Sequence, residues 1–420
     1  MRDDSTDRRT VLAALGTASS AALAGCSGVL DWGGSDDSDG GAGNGVGAPE
    51  QVDRLWTAGT TTEYAGNHHE MGAIRIDGEV VVAVPRSEDP DTAGCGLLAL
   101  DAGGETRWRR DLPAEVCDPH AVGDVAVGEL DGDPILLVAT IEKDVVAYAA
   151  ATGGVRFEAE LVETVPYGHP VISPPLADGS RRVVVVDNLG HAVVANLDGS
   201  TAWRREFEGV VYPAPVVRDV DGDGAVEVVV ATDAEQGWLV AHDAAGEERW
   251  RTAFETGGRA LSSVERDGHP DLVLSTWGGQ VAAVDGRTGE TRWSEPLAER
   301  GILGGSDGER LYAGAGDGVV HAIDPDDGTV VWTVDSIGSS APANAPVVGH
   351  PREGAPVVAS LAYDGALGLI DAETGSVLVE HSFGEETYTS PLFADLTGDG
   401  SDDLLVMFGD ARVEAYRLSL

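Results

Sequence analysis

Residues 281–293 read VAAVDGRTGETRW: an apolar run, Asp285, a turn with glycine, then Trp293. The phrase recurs as LLALDAGGETRW (97–108), HAVVANLDGSTAW (191–203), LVAHDAAGEERW (239–250) and VHAIDPDDGTVVW (320–332). Two copies are worn. VVAYAAATGGVRF (145–157) puts Phe157 in the tryptophan slot, and LGLIDAETGSVLV (367–379) puts Val379 there. With Trp56 as a further slot, the copies stand about 46 residues apart, the spacing of propeller blades. Six of the nine tryptophans fill the slot. A residue that tracks the period packs between repeats and does not mark a local site.

Each unit divides into four short, valine-rich runs broken by turn residues, as in PVISPPL (170–176), RRVVVVD (181–187), HAVVANL (191–197) and TAWRREF (201–207). A four-stranded sheet this small cannot bury both faces alone, but radial stacking on its neighbours can. The last unit supplies only three strands: TSPLFADL (389–396), SDDLLVMF (401–408) and ARVEAYRL (411–418). VDRLWTAG (52–59) is a fourth strand with no unit before it. The expectation is an all-β, eight-bladed propeller closed by this N-terminal strand. Seven blades is the alternative, if the first unit is irregular.

The 420 residues contain 72 acidic and 27 basic side chains, a formal charge of −45. Lys143 is the single lysine. Such a surface repels a phosphate backbone, so no nucleic-acid partner is expected. Acids spread along the whole chain form the solvated shell that suits strong brine, where salt screens charge. A cation-binding surface is a compatible second reading. A monomer is expected.

Residues 1–25 are an address and not part of the fold. Arg8 and Arg9 form a twin-arginine pair before the apolar run Val11–Ala24, too short to span a bilayer. Leu23-Ala24-Gly25-Cys26 resembles a lipoprotein cleavage box, which would leave Cys26 lipidated as the first mature residue. An ordinary export signal is the alternative. Residues 26–50, rich in Gly, Ser and Asp, read as a flexible tether. The expected location is the outer face of the cytoplasmic membrane, reached by the twin-arginine route and held by the lipid. The propeller then occupies 51–420.

The phrase Asp-x-x-Thr-Gly-x-x-x-Trp from Asp285 to Trp293 resembles the repeat of pyrroloquinoline-quinone-type propellers. That family includes quinone-dependent alcohol dehydrogenases and non-enzymatic lipoproteins of BamB-like architecture. The dehydrogenases resemble one another in an adjacent Cys-Cys pair over the cofactor. This sequence has no such pair, so the quinone is not expected. The plan of lipobox, linker and bare propeller is closer to the scaffold branch. The reading is a tethered extracellular scaffold that binds a protein or carbohydrate, without catalysis. The alternative is a quinoprotein or metal-dependent oxidoreductase using the central channel.

Asp219-Val-Asp221-Gly-Asp223-Gly-Ala225-Val-Glu227 places carboxylates at positions one, three, five and nine around turn glycines, a hard oxygen cage suited to structural Ca²⁺. It resembles the calcium hairpin of integrin-type FG-GAP blades, in which Ala225 would offer its carbonyl. A second copy uses Asp395, Thr397, Asp399, Ser401 and Asp403, with threonine replacing one acid. A third, Glu129-Leu-Asp131-Gly-Asp133-Pro134, lacks both the second turn glycine and the ninth acid. Acidic turns without an ion are the alternative.

Cys95 and Cys117 lie in loops that open on one face of a propeller. An oxidising compartment favours a disulfide between them, with free thiols the alternative. His69, His120 and His169 precede the innermost strands of the first three blades, with His68 and Glu70 beside them. Imidazoles converging there suit a transition metal; hydrogen-bonded histidines at a polar mouth are the alternative. Tyr167, Tyr212 and Tyr388 take related positions. With Trp277 and Tyr363 they would form an aromatic rim for a partner, or simply pack locally.

Overall fold

The computed structural model describes residues 52–59, 69–86 and 94–420, except 119, 235, 267, 299, 336–340, 342, 353 and 354. The export signal, Cys26, the 26–50 tether and His68 lie outside the described residues.

Eight four-stranded antiparallel sheets make up the body. Blade one runs through Gly72–Ile76, Glu79–Arg86, Gly96–Leu100 and Thr106–Asp111, and six more follow the same meander. Blade eight takes three strands from Leu392–Ala394, Asp403–Met407 and Val413–Leu418, and its outermost from Val52–Ala58. That strand runs antiparallel to the last, from Val52 opposite Leu418 to Ala58 opposite Val413. The expected closure and the count of eight are both correct. The innermost strands of blades one and eight meet, so the ring is complete. One three-residue 3₁₀ turn, Ala114–Val116, is the sole helical element among the described residues. No described helix is long and apolar enough to cross a membrane.

No blade has a core of its own. Buried side chains form eight large clusters, each shared by two adjacent blades, and a small ninth around Cys95, Cys117 and Ala121; Val82, Leu98, Leu405 and Ala415 lie in the one that joins blade one to blade eight. The alternation of strands therefore buries both faces of every sheet, as radial stacking requires.

The slot residue belongs to these seams. Indole Nε1–H of Trp56, Trp108, Trp250, Trp293 and Trp332 donates to the carbonyl of Ala102, Ala150, Gly286, Pro325 and Ala372 respectively, in the next blade, at 2.8–3.1 Å. The turn glycine of that next blade lies flat on the ring. A Cβ at Gly289, whose φ is +73°, would stand 2.7 Å from the Trp250 indole. The phrase Asp-x-x-x-Gly is thus a lid fitted to the preceding tryptophan. Phe157 and Val379 fill the slot by burial alone.

An antiparallel meander sorts the connections. Turns joining strands one to two and three to four open on one face, here the turn face. Turns joining two to three, and the crossings between blades, open on the other, the crossing face. Cys95 and Cys117 are joined as a disulfide on the crossing face, 22 residues apart in sequence. A loop of that length contributes roughly 3 kcal/mol in the chain-entropy account.

Candidate functional site

The crossing face carries the candidate site. Crossings bring half-buried His120, Tyr167 and Tyr212 to it with buried His69 beside them, and the turn between strands two and three of blade five adds Trp277. Gly168 shows how closely adjacent crossings approach: a Cβ there would lie 2.2 Å from the Ala214 backbone nitrogen. This spacing lets rings from successive blades touch. His69 meets His120 edge-on at 5.6 Å, His120 meets Tyr167 at 6.1 Å, and Tyr167 stacks on Tyr212 at 5.1 Å. Tyr212 then meets Trp277 at 4.9 Å, and the Arg259 guanidinium lies 4.9 Å over the Trp277 ring. Tyr363 and Tyr388 form a separate edge-on pair at 5.9 Å. The aromatic arc spans blades one to five, with a second piece at blades seven and eight.

Among the described residues the three histidines do not gather as one set of ligand atoms. The ring that meets His120 on its far side is that of Tyr167. His169 lines a cavity of about 390 Å³ along the innermost strands of blades two to four, with Val127, Val171, Ile172 and Arg181. It keeps water-accessible surface there, but the surrounding protein lowers its pKa, with Asp124 opposing. Gly168 alone separates Tyr167 from His169, so the crossing presents one to the aromatic arc and the other to the cavity.

Beneath the arc lies a knot of acids. Asp124 Oδ1 accepts the Glu70 backbone N–H at 2.9 Å and sits 3.1 Å from His69 Nδ1. The Glu70 carboxylate accepts the Ser390 backbone N–H at 2.9 and 3.1 Å. Blades eight, one and two are tied together by these contacts. Although Glu70 retains some accessible surface, its carboxylate is ringed by protein. Loss of hydration, then the Asp124 charge, pushes its pKa up to about 8. Burial also raises Tyr212 and Tyr388 to about 12, Glu386 adding to the second, so both phenols stay protonated donors. The arrangement offers ring faces, hydroxyls and one stacked cation: the means to bind.

The acidic loops stand on the turn face. Asp219, Asp221 and Glu227 bring carboxylate oxygens within 4.8 Å of one another. Asp219 accepts N–H groups of Gly222 and Gly224 at 2.6 and 2.9 Å, while Glu227 accepts that of Val220 at 2.9 Å. Asp223 turns instead to the Ala225 N–H at 2.7 Å. Burial is the main cause raising Glu227 to about 7, so its charge lacks compensation. In the second loop Asp395 accepts N–H groups of Gly398, Asp399 and Gly400, and Ser401 N–H donates to Asp399. Arg417 reaches Thr397 at 2.7 Å and Asp399 at 3.3 Å, and stands 3.6 Å from buried Asp403. The third sequence is a plain two-residue hairpin, with Asp131 and Gly132 at positive φ and Asp133 paired to Arg156.

Sequence reasoning missed Asp124, Arg259 and a group formed by His269, Asp271, Asp285 and Arg292. One signal was available for the last. Asp271 stands opposite Asp285 in register, the position Glu227 holds before the Val228–His242 pair of blade four.

A protein family described as outer membrane protein assembly factor BamB matches residues 93–266 and 235–413. Outer membrane protein assembly factor BamB of Burkholderia pseudomallei (strain K96243) is 27% identical over 260 residues, 60% of this chain and 64% of that protein. The match therefore spans less than two thirds of that relative's length. Among solved structures, BamB from Moraxella catarrhalis superposes with a TM-score of 0.59 at 18% identity, covering 88% of this chain and 98% of that one. Quinohemoprotein alcohol dehydrogenase from Comamonas testosteroni gives 0.63 at 13% identity, covering 87% and 76%. Likeness at such identities establishes the fold alone, but the family match runs through most of the blades, and the chain belongs to the BamB family of quinone-type repeat propellers.

Proposed function

We propose that this protein is an exported, lipid-anchored scaffold that docks a protein partner at the crossing-face mouth, with Ca²⁺ pinning the Asp219 and Asp395 hairpins. One observation carries the reading: the unbroken run of ring contacts from His69 to Trp277, ended by Arg259. Aromatic rings with an arginine are the side chains that anchor interfaces, since they bury much area at small entropic cost. Relatives named as assembly factors support a scaffold, and the absence of an adjacent Cys-Cys pair from the sequence supports binding over quinone chemistry.

A photo-crosslinking residue at Tyr212, compared in intact cells with one at Glu290 on the turn face, tests this. A defined protein adduct from Tyr212 and not from Glu290 is expected. The reading fails if both positions crosslink alike, if Tyr212 yields no defined adduct, or if the purified protein carries a stoichiometric quinone.

A further inference from the structure

Blade five holds a polar group that neither the calcium hairpins nor the mouth uses. His269 opens its second strand, Asp271 follows two residues later, and Asp285 ends the third strand opposite Asp271. One ligand atom from each lies within 4.8 Å of the others. Asp271 is fully buried and His269 is 6% exposed. Neither His269 Nδ1 nor His269 Nε2 has a hydrogen-bond partner. Its Nε2 faces Asp285 Oδ2 at 3.8 Å, beyond hydrogen-bond reach. A buried polar atom left unsatisfied destabilises the fold, so an imidazole orphaned at both nitrogens calls for an explanation.

We propose that His269, Asp271 and Asp285 form a second cation site, taking a divalent transition ion of the zinc, cobalt or manganese class. A neutral imidazole prefers such ions, whereas calcium takes oxygen ligands. Asp285 is set for the task. Its Oδ1 accepts N–H groups of Arg287 and Thr288 at 2.9 and 3.1 Å, which fixes the carboxylate and turns Oδ2 inward. Arg292 now holds the two acids together, with Nε 2.9 and 2.8 Å from the Asp271 oxygens and a terminal nitrogen on Asp285. This guanidinium stands where the ion's charge would act. Its side chain comes from the outermost strand and is 29% exposed, so an arriving ion displaces it toward solvent.

Position adds a second argument. The Asp219 loop of blade four abuts this site: Arg287 Nε donates to the Asp221 carbonyl at 2.8 Å. A Cβ at Gly222 would lie 3.7 Å from the His269 Cβ. The loop carboxylates concentrate cations at the seam, and the imidazole selects among them. The proposal does not need the calcium reading to hold.

Cobalt(II) titrated into the full chain in excess calcium tests it. Expected are one tight equivalent and an X-ray absorption shell with one imidazole among oxygens. His269→Ala should weaken binding by more than about 100-fold, beyond what outer-shell changes produce. Asp219→Asn should leave that equivalent in place. No stoichiometric cobalt in the wild type, an oxygen-only shell, or unchanged binding in a folded His269→Ala protein would overturn the proposal. If that variant does not fold, the absorption spectrum of the wild type decides alone.

Discussion

Two side chains show what periodicity reveals and what it hides. The tryptophan slot was legible because every copy meets the same neighbour, so spacing alone identified packing. Its exception was not legible. Trp203 Nε1 is buried without an acceptor, and the ring lies against His242 at 5.9 Å. Trp293→Phe discards a hydrogen bond to Pro325, whereas Trp203→Phe discards an unsatisfied donor. Equilibrium unfolding should show the first variant less stable than the second by about 1–2 kcal/mol. Glu70 is the opposite case. Its partner Ser390 is 320 residues away, and no local pattern joins them. Its folded pKa of about 8 lies above the ordinary 4.5, so the folded state holds the proton more tightly than the unfolded chain. This contribution is present below about pH 4.5 and is lost as pH rises to about 8, by up to about 1.4 kcal/mol per unit. Glu70→Gln removes the loss. Melting temperatures of variant and wild type should diverge from pH 5 to pH 9, the variant holding up better; parallel profiles would refute the assignment.

At the scale of the hairpin, three acidic turns that look alike in sequence have three environments. Asp131-Gly132 is only a tight turn, which the missing ninth acid had indicated. The Asp395 loop already holds Arg417, a neutraliser contributed by the next-but-one strand and so invisible in the loop's own residues. The Asp219 loop gathers Asp219, Asp221 and Glu227; of these Arg249 meets Asp221 alone, at 3.4 Å, and Glu227 is raised to about 7 chiefly by burial. On the proposed calcium reading an ion there would compensate the ionised carboxylate, and it would have least to offer when Glu227 is protonated. The stabilisation by calcium over chelator should therefore grow as pH rises from 5.5 through 7 to 8.5. Glu227→Gln should flatten that dependence. A calorimetric scan of both proteins with and without chelator measures it, and equal shifts across the range would remove the ion from this loop. The histidine array divides: alignment put His169 level with His69 and His120, but the ring that meets His120 belongs to Tyr167, while His169 lines the cavity along the innermost strands.

For the whole molecule, the eight sheets, their meander and the closing strand were all readable, because each sheet is incomplete without its neighbours. Charge was readable only as a sum. In the folded body Arg204–Glu163, Arg249–Asp221 and Arg251–Glu248 pairs answer a fraction of the surface acids. Two effects oppose each other as salt is added. Exposed pairs lose strength, but each contributes at most about 1 kcal/mol. Repulsion among the uncompensated part of −45 charges is also screened, and it acts over the whole surface. The Debye length falls from about 8 Å at 0.15 M to about 3 Å at 1 M, shorter than most separations between surface charges but comparable to a contact pair. Screening therefore removes more repulsion than attraction. The melting temperature should rise between 0.15 M and 1 M potassium chloride and level off above it. A fall over that interval would mean that the arginine pairs outweigh the acidic surface, and that the composition has no bearing on brine.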